Sequence, residues 1–557
     1  MSCLLVVTWL LPVTHAQPRK TDSSPMASVR GGQLRGTLNG TTAVFQGVPY
    51  AAPPIGSLRW REPLPPQPWS GIRDATKPGN ACVQNVAGLD AFIAPLAATY
   101  GASYNFEPVS SSEDCLYLNV WSPNWPNKGV LPVMVWLHGG SNRIGSGAQS
   151  TYAGESLASH GVVIVTINYR LGVLGFFSHP ELTKESPHHS SGNYGLLDQL
   201  AALRWVRENI AGFGGDPRNV TLFGESAGSI DAGTLAASPL ATGLFRRVIL
   251  ESGPPFGLGA AHTLQQAEAV GTAIGKAAPG HATSTLENLR SLPATQVVEL
   301  ASQTIKTQFK GYDPLAQLVD GWVLPQATSK AFGSGTIQKV DLLVGLNGRE
   351  LSAFRVGAAM AARQNPTPEK GGSSGDAVKK LADTARPLYG GWTNAAIGMY
   401  MAEMLIHRDA AIDGASNDML MACPIGAVAA LASNAGQRVY VYKFDRSIPG
   451  KGEADLGAFH GLEVPYVFNS FDDRSWRWLP FSEVDHKLSH LIEVYWTNFA
   501  KRGDPNAAGL PSWSPWQSSG EPYLEFNQDG SATARGDFAP PFCHLSADRL
   551  RQQLAGN

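Results

Sequence analysis

The hydrophobic positions of this chain fall into short continuous runs rather than strict alternation. Val130 to Leu137, Gly161 to Asn168, Val220 to Phe223, Val248 to Leu250, Val340 to Val344 and Val439 to Phe444 are apolar, β-prone runs. Runs of this kind suit strands buried on both faces of a sheet. Between the second and third lies a segment of helical periodicity, 195–210, with Leu197, Leu200, Leu203 and Val206 on one face. Strands alternating with helices predict a mostly parallel sheet flanked by helices. Residues 260–335 and 355–435 read as largely helical insertions between strands, and 83–113 as a long loop. From about Ala27 to Trp69, short strand-like runs alternate with Gly and Pro.

One strand run leads into a pattern with chemical meaning. Val220-Thr221-Leu222-Phe223 is followed by Gly224-Glu225-Ser226-Ala227-Gly228 and then by a segment able to start a helix. This is the layout of a nucleophile elbow, in which a sharp strand-to-helix turn holds a serine hydroxyl clear of the backbone. The helix start aims N–H groups at an oxyanion. The pattern recurs at Gly371-Gly372-Ser373-Ser374-Gly375, but after a polar Pro-rich stretch with no strand, so that copy reads as a surface loop.

A serine nucleophile needs a base and an acid to orient it. His460 lies in a loop after the Val439–Phe444 run, and Glu350 just beyond Val344, where parallel sheets gather active groups. The Val130–Leu137 run ends in His138-Gly139-Gly140-Ser141, where adjacent glycines can turn N–H groups towards a substrate oxygen.

Further ordered motifs are Phe45-Gln46-Gly47-Val48-Pro49-Tyr50-Ala51, Glu113-Asp114-Cys115-Leu116-Tyr117-Leu118-Asn119, Asn193-Tyr194-Gly195-Leu196-Leu197-Asp198-Gln199 and Phe213-Gly214-Gly215-Asp216-Pro217. With the elbow, they make the chain resemble a type-B carboxylesterase, the cholinesterase-like branch of the α/β-hydrolases, from about residue 28 to 548. The resemblance implies an α/β-hydrolase fold, with Ser226 as nucleophile, Glu350 as acid and His460 as base. It implies an oxyanion hole from the N–H groups of Gly140, Ser141 and Ala227, with Glu225 and Ser252 as supporting residues. It implies the disulfides Cys82–Cys115 and Cys423–Cys543, and a small-molecule ester as substrate with no metal or organic cofactor. Members of the family that lost catalysis serve in binding or adhesion and typically lack a triad residue; this chain keeps all three.

The chain departs from the family where a third glycine and an aromatic usually follow in the oxyanion loop: here stand Ser141-Asn142-Arg143. Asn142 and Arg143 are expected near the pocket rim, with Arg143 favouring carboxylate-bearing esters through its two-pronged donor geometry. The Cys82–Cys115 loop carries no tryptophan to bind a choline cation, so the reading is a general carboxylesterase of aromatic or carboxylate-bearing esters.

Bulk properties narrow the setting. A net charge of −2 over 557 residues gives no reason to expect nucleic acid as a partner. Leu4 to Val13 is apolar and Thr14-His15-Ala16 resembles a signal-peptidase site, although no basic residue precedes it. This predicts a signal peptide over 1–16, a linker over 17–26, one catalytic domain over 27–557, and a secreted or periplasmic protein. The leading apolar stretch is too short to span a bilayer, and no later segment is expected to do so. Once Cys3 leaves with the leader, four cysteines remain, scattered as disulfides are and metal ligands are not. Asn39 and Asn219 lie in glycosylation sequons. Oligomeric state is not readable from the sequence.

Overall fold

The apolar runs assemble into one sheet of 11 strands. In chain order they are β1 (Thr37–Asn39), β2 (Thr42–Pro49), β3 (Tyr117–Ser122), β4 (Leu131–Leu137), β5 (Val163–Ile167), β6 (Gly215–Glu225), β7 (Arg247–Glu251), β8 (Asp341–Asn347), β9 (Val439–Phe444), β10 (Tyr523–Phe526) and β11 (Ala532–Arg535). Their spatial order is β11-β10-β9-β8-β7-β6-β4-β5-β3-β2-β1. The structure is a computed structural model. It describes residues 24–541 and 543, apart from 86, 105–109, 127–128, 257–261, 281–284, 310–314 and 365–373.

Neighbours from β10 through β5 pair in parallel, while β11 and the early strands β1–β3 pair antiparallel. The sheet is thus mixed, with a parallel centre. Both faces of that centre are buried, and the two-residue period of a strand divides each run between them. Val133, Val135 and Leu137 enter one core with Val220, Leu222, Val248 and Val344. Met134 and Trp136 enter the other with Phe223, Ile249 and Leu343. The helix Tyr194–Asn209 covers the first face through Leu196, Leu200 and Leu203. The helix Glu483–Arg502 covers the second through Leu488, Ile492 and Trp496.

Three expectations are corrected. Residues 83–113 hold the helix Ala87–Thr99, which Phe92, Ile93 and Leu96 mark by helical spacing, and a short strand, Ser111–Ser112. The stretch 17–26 is not linker to its end, because Met26 opens the strand Met26–Val29. A continuous helical stretch, Arg408–Asn434, is long and apolar enough by composition to cross a membrane, yet 78% of its most apolar window is buried inside the protein. Its residues instead build a third core with Leu381, Ala385 and Tyr389. The leader over 1–16 lies outside the described residues, as do Gly371, Gly372 and Ser373 of the second serine-glycine pattern.

Both disulfides form, Cys82–Cys115 and Cys423–Cys543. Asn39 is exposed, whereas the Asn219 amide is occupied: its Oδ1 accepts from Arg247 Nη1 and its Nδ2 donates to Lys501 O.

The segment leaving β5 is fixed by a buried ion pair. The Arg170 guanidinium donates two bonds of 2.7 Å to Asp198, whose carboxylate also accepts from the Arg170 backbone N–H. Breaking such a pair leaves a buried charge without compensation. Asp198→Ala is expected to cost about 3–5 kcal/mol in urea denaturation. A loss below about 1 kcal/mol, the surface-pair range, would show the pair to be dispensable.

Candidate active site

The carboxyl ends of the parallel strands converge on one edge of the sheet. There β4 delivers the Gly139–Gly140 turn, β6 delivers Ser226, β7 delivers Ser252 and β8 delivers Asn347 and Glu350, while His460 comes from the loop after β9. Ser226 sits at φ +56°, ψ −122°, between the end of β6 and the helix Ala227–Ala237. A non-glycine residue at positive φ costs energy, which the surrounding contacts must offset. Here the Ser226 N–H donates to Glu251 O at 2.9 Å and its C=O accepts from Ile230 N at 3.0 Å. Glycine at 228 is obligatory, since a Cβ there would lie 2.0 Å from Leu137 O.

The structure brings Ser226, His460 and Glu350 together in sequence-distant contact. His460 Nε2 lies 2.8 Å from Ser226 Oγ, and His460 Nδ1 lies 2.7 Å from Glu350 Oε2. Glu350 is fully buried, and its other oxygen accepts from Asn347 N at 2.6 Å. A buried carboxylate so held orients the ring with Nδ1–H towards it, so that in the neutral imidazole Nε2 is the acceptor facing Ser226 Oγ.

Gly140, Ser141 and the first turn of the elbow helix present backbone N–H groups beside Ser226. Gly140 has φ +105° and Ser141 φ +56°, a left-handed turn made without the third glycine. Among the described residues, the N–H groups of Gly140, Ser141 and Ala227 have no backbone acceptor. The turn is braced from behind. Tyr169 donates its hydroxyl to His138 O at 2.6 Å and stacks on the His138 ring. Burial pushes His138 down to about 4, against a weaker upward pull from its bond to Gly139 O, so this ring stays neutral. Gln84, next to Cys82, exchanges two 2.8 Å bonds with the Gly145 backbone and ties the disulfide loop to the same turn.

Two expectations at this loop change. Asn142 does not face the pocket: it is 2% exposed, and its Nδ2 donates to Asp231 Oδ1 at 3.0 Å, beside the bonds from Gln199 and Gln317 to the same carboxylate. A left-handed φ of +56° turns it inward, where an amide can satisfy a buried acid. Arg143 is exposed and stands outside the lining of the Ser226 cavity.

The supporting residues form a buried acidic cluster around His460. Glu225 Oε1 lies 3.2 Å from His460 Nε2. Ser252 reaches the histidine only indirectly, because its hydroxyl donates to Glu463 Oε1 at 2.5 Å. Asn347 Nδ2 donates to the other Glu463 oxygen. Glu463 is therefore a member of the cluster that the sequence reading missed. Its signal was modest: an acid three residues beyond His460. Burial pulls the His460 pKa down, but Glu225 first, then Glu350 and Glu463, outweigh it and hold the ring up at about 9. Burial raises Glu225 to about 8, with His460 opposing and the other acids reinforcing.

The cavity above Ser226 measures about 290 Å³. Its apolar wall consists of Phe92, Phe354, Phe459, Val464, Trp476 and Trp478. Phe354 packs against both His460 and Phe92, with ring centroids 5.3 and 5.2 Å apart, and is 47% exposed at the mouth. The aromatics lie in segments far apart in sequence, which is why no single motif announced them. A separate hollow of about 460 Å³ is lined by Trp60, Arg61, Glu185 and Trp322 and holds none of the serine, histidine and glutamate trio.

Comparison with known proteins places the chain in a family. The model of the carboxylesterase family matches residues 23–540. The chain is 36% identical to the fumonisin B1 esterase of Sphingopyxis macrogoltabida, over 94% of this chain and 91% of that protein. It is 33% identical to the cocaine esterase of Homo sapiens, over 91% and 88%. Among solved structures, a PNB esterase superposes with a TM-score of 0.76 at 31% identity, over 96% of this chain and 99% of that one. The carboxylesterase EST55 of Geobacillus stearothermophilus superposes with a TM-score of 0.75 at 31% identity, over 95% and 99%.

The charge cluster makes a pH prediction. A histidine acting as base towards Ser226 has to be neutral, and an ionised Glu225 carboxylate favours the charged form of His460. Glu225→Gln removes that carboxylate, so the His460 pKa falls and the rising limb of kcat/KM moves to lower pH, by about 1 unit or more. A pH–rate profile of the two proteins checks this; a limb unmoved or shifted upward would contradict it.

Proposed function

The chain belongs to the carboxylesterase family and acts on carboxylic esters, and we propose that it does so through an acyl intermediate on Ser226. The observation that carries the proposal is the unbroken line of contacts from Ser226 Oγ through the His460 ring to Glu350. Ser226 Oγ attacks the ester carbonyl carbon as its proton passes to His460 Nε2. Negative charge gathers on the former carbonyl oxygen, and the N–H groups of Gly140, Ser141 and Ala227 stabilise it. Collapse breaks the ester C–O bond, the alcohol departs with the proton from His460, and the acyl group remains on Ser226. Water then attacks, giving its proton to His460, and a second collapse releases the acid and restores Ser226. Throughout, Glu350 holds Nδ1–H and stabilises the transient imidazolium. No step calls for a metal or organic cofactor.

The favoured substrates are esters with an aromatic or broad apolar group. Phe92, Phe354, Phe459, Trp476 and Trp478 support this, because flat aromatic walls gain both buried area and ring contacts from an aromatic guest. Preference for a carboxylate-bearing ester would rest on Arg143 alone. Export to an oxidising compartment is supported by the apolar leader and the two disulfides.

Ser226→Ala is expected to lose about 10³-fold or more in kcat on a p-nitrophenyl ester while keeping the fold. Trp478→Ala should lower kcat/KM about tenfold for aromatic esters and much less for acetate esters, since a lost apolar contact is worth about 1–3 kcal/mol. Equal losses on both would remove the aromatic reading. Arg143→Ala tests the acidic class: a selective loss on a half-ester over its neutral analogue supports it, and equal rates exclude it. Sequencing the N-terminus of the mature protein should find Gln17 first; an intact leader would refute export by cleavage after Ala16.

A further inference from the structure

On the second face of the sheet, away from the Ser226 cavity lining, three side chains converge that esterase chemistry does not use. His160 caps the helix Glu155–Ser159, with its backbone N–H bonded to Leu157 O at 3.1 Å, just before β5. His490 and Glu493 lie on the helix Glu483–Arg502, and their i, i+3 spacing puts both on one helix face. One ligand-type atom from each of the three lies within 4.8 Å of the others. Among the described residues, no other set of His, Cys, Asp and Glu converges in this way.

From this we propose that His160, His490 and Glu493 form a binding site for one late first-row divalent cation, with Zn²⁺ the fitting probe. Three observations carry it. The donor set is two imidazole nitrogens and one carboxylate, which suits zinc and leaves a fourth position for water. The His160 Nε2–Glu493 Oε2 separation is 3.5 Å. That is long for a charge-assisted hydrogen bond, which closes to about 2.7–2.9 Å. It is the separation expected of two ligands on a tetrahedral ion at bond lengths of about 2.0–2.2 Å, namely about 3.3–3.5 Å. Finally, Glu493 is 2% exposed and its Oε1 is buried with no hydrogen-bond partner. A buried carboxylate with one oxygen bare is costly, and an ion held at Oε2 with Oε1 turned to it would compensate that oxygen.

The geometry needs one adjustment. His490 is exposed, so a rotation of its side chain can adjust its distance to the other two without moving backbone. Metal bound there would clamp the long helix to the turn before β5. That helix also carries Trp496, whose indole N–H donates to the buried Glu251 at 2.7 Å. The site would therefore act on stability and leave the hydrolytic groups untouched.

The test is calorimetric titration of chelator-stripped full-length protein with ZnCl₂, alongside His490→Ala. His490 is exposed, so this variant should fold. Wild type should take up one Zn²⁺ per chain and melt at a higher temperature when loaded. His490→Ala should bind at least about tenfold more weakly, since loss of a direct ligand exceeds the roughly 10–100-fold effect of an outer partner. The Co²⁺-loaded wild type should show visible bands of low-coordinate cobalt that His490→Ala lacks. No uptake by wild type at 100 µM Zn²⁺ (about the weakest binding that would matter for a three-ligand site) would overturn the proposal. Uptake by His490→Ala equal to wild type would overturn it too, because the ion would then sit elsewhere.

Discussion

The site depends on the close approach of two strand ends. β4 and β6 run in parallel register, with Phe223 opposite Trp136 and Gly224 opposite Leu137. At their carboxyl ends the backbone of the elbow helix presses on Leu137 O, leaving no room for a side chain at 228. That single steric constraint fixes where Ser226 stands and where the Gly139–Gly140 turn can go. Neighbouring strands add Ser252, Asn347 and Glu350 along the same edge. Because both faces of the sheet are packed against helices, the edge is rigid, and loop-borne His460 is held by contacts to it rather than by its own segment.

The electrostatics follow from the same crowding. Glu225, Glu350 and Glu463 are buried near one imidazole, and the buried Glu251 acts on Glu225 and Glu463. Taken singly, each would be expensive to ionise away from water. The structure distributes the cost. Glu350 accepts from Asn347 N, Glu463 accepts from Ser252 and Asn347, and Glu251 accepts from the Trp496 indole. Glu225 and Glu251 each keep one buried oxygen without a hydrogen bond, and that of Glu225 lies 3.2 Å from His460 Nε2. When ionised, Glu225 faces the histidine directly, and with Glu350 and Glu463 it holds the ring pKa up.

Much of this was readable in the linear order of residues, and the exceptions have physical causes. The six apolar runs became β4 to β9 because a continuous β-prone run needs burial on two faces, and a parallel sheet supplies it. The helix inside 83–113 was missed although Phe92, Ile93 and Leu96 have helical spacing, because two cysteines and many polar residues around it suggested a loop. Asn142 was expected at a rim and is buried. Sequence adjacency to Ser141 could not reveal that three successive positive φ angles, at 140–142, turn the chain inward towards Asp231. Ser252 was expected to support His460, and its hydroxyl bonds Glu463 rather than the histidine.

The sequence by itself determined the fold class, the order and identity of the strands that carry function, and the serine that the elbow pattern singles out. These depend on local periodicity and on glycine's freedom from a Cβ, which are properties of short segments. Only the tertiary structure decided which acids share the histidine, which aromatic rings wall the cavity, and that His160 meets His490 and Glu493. Most of those meetings join residues separated by tens to hundreds of positions. They are created when strand ends and covering helices pack, so no local pattern encodes them.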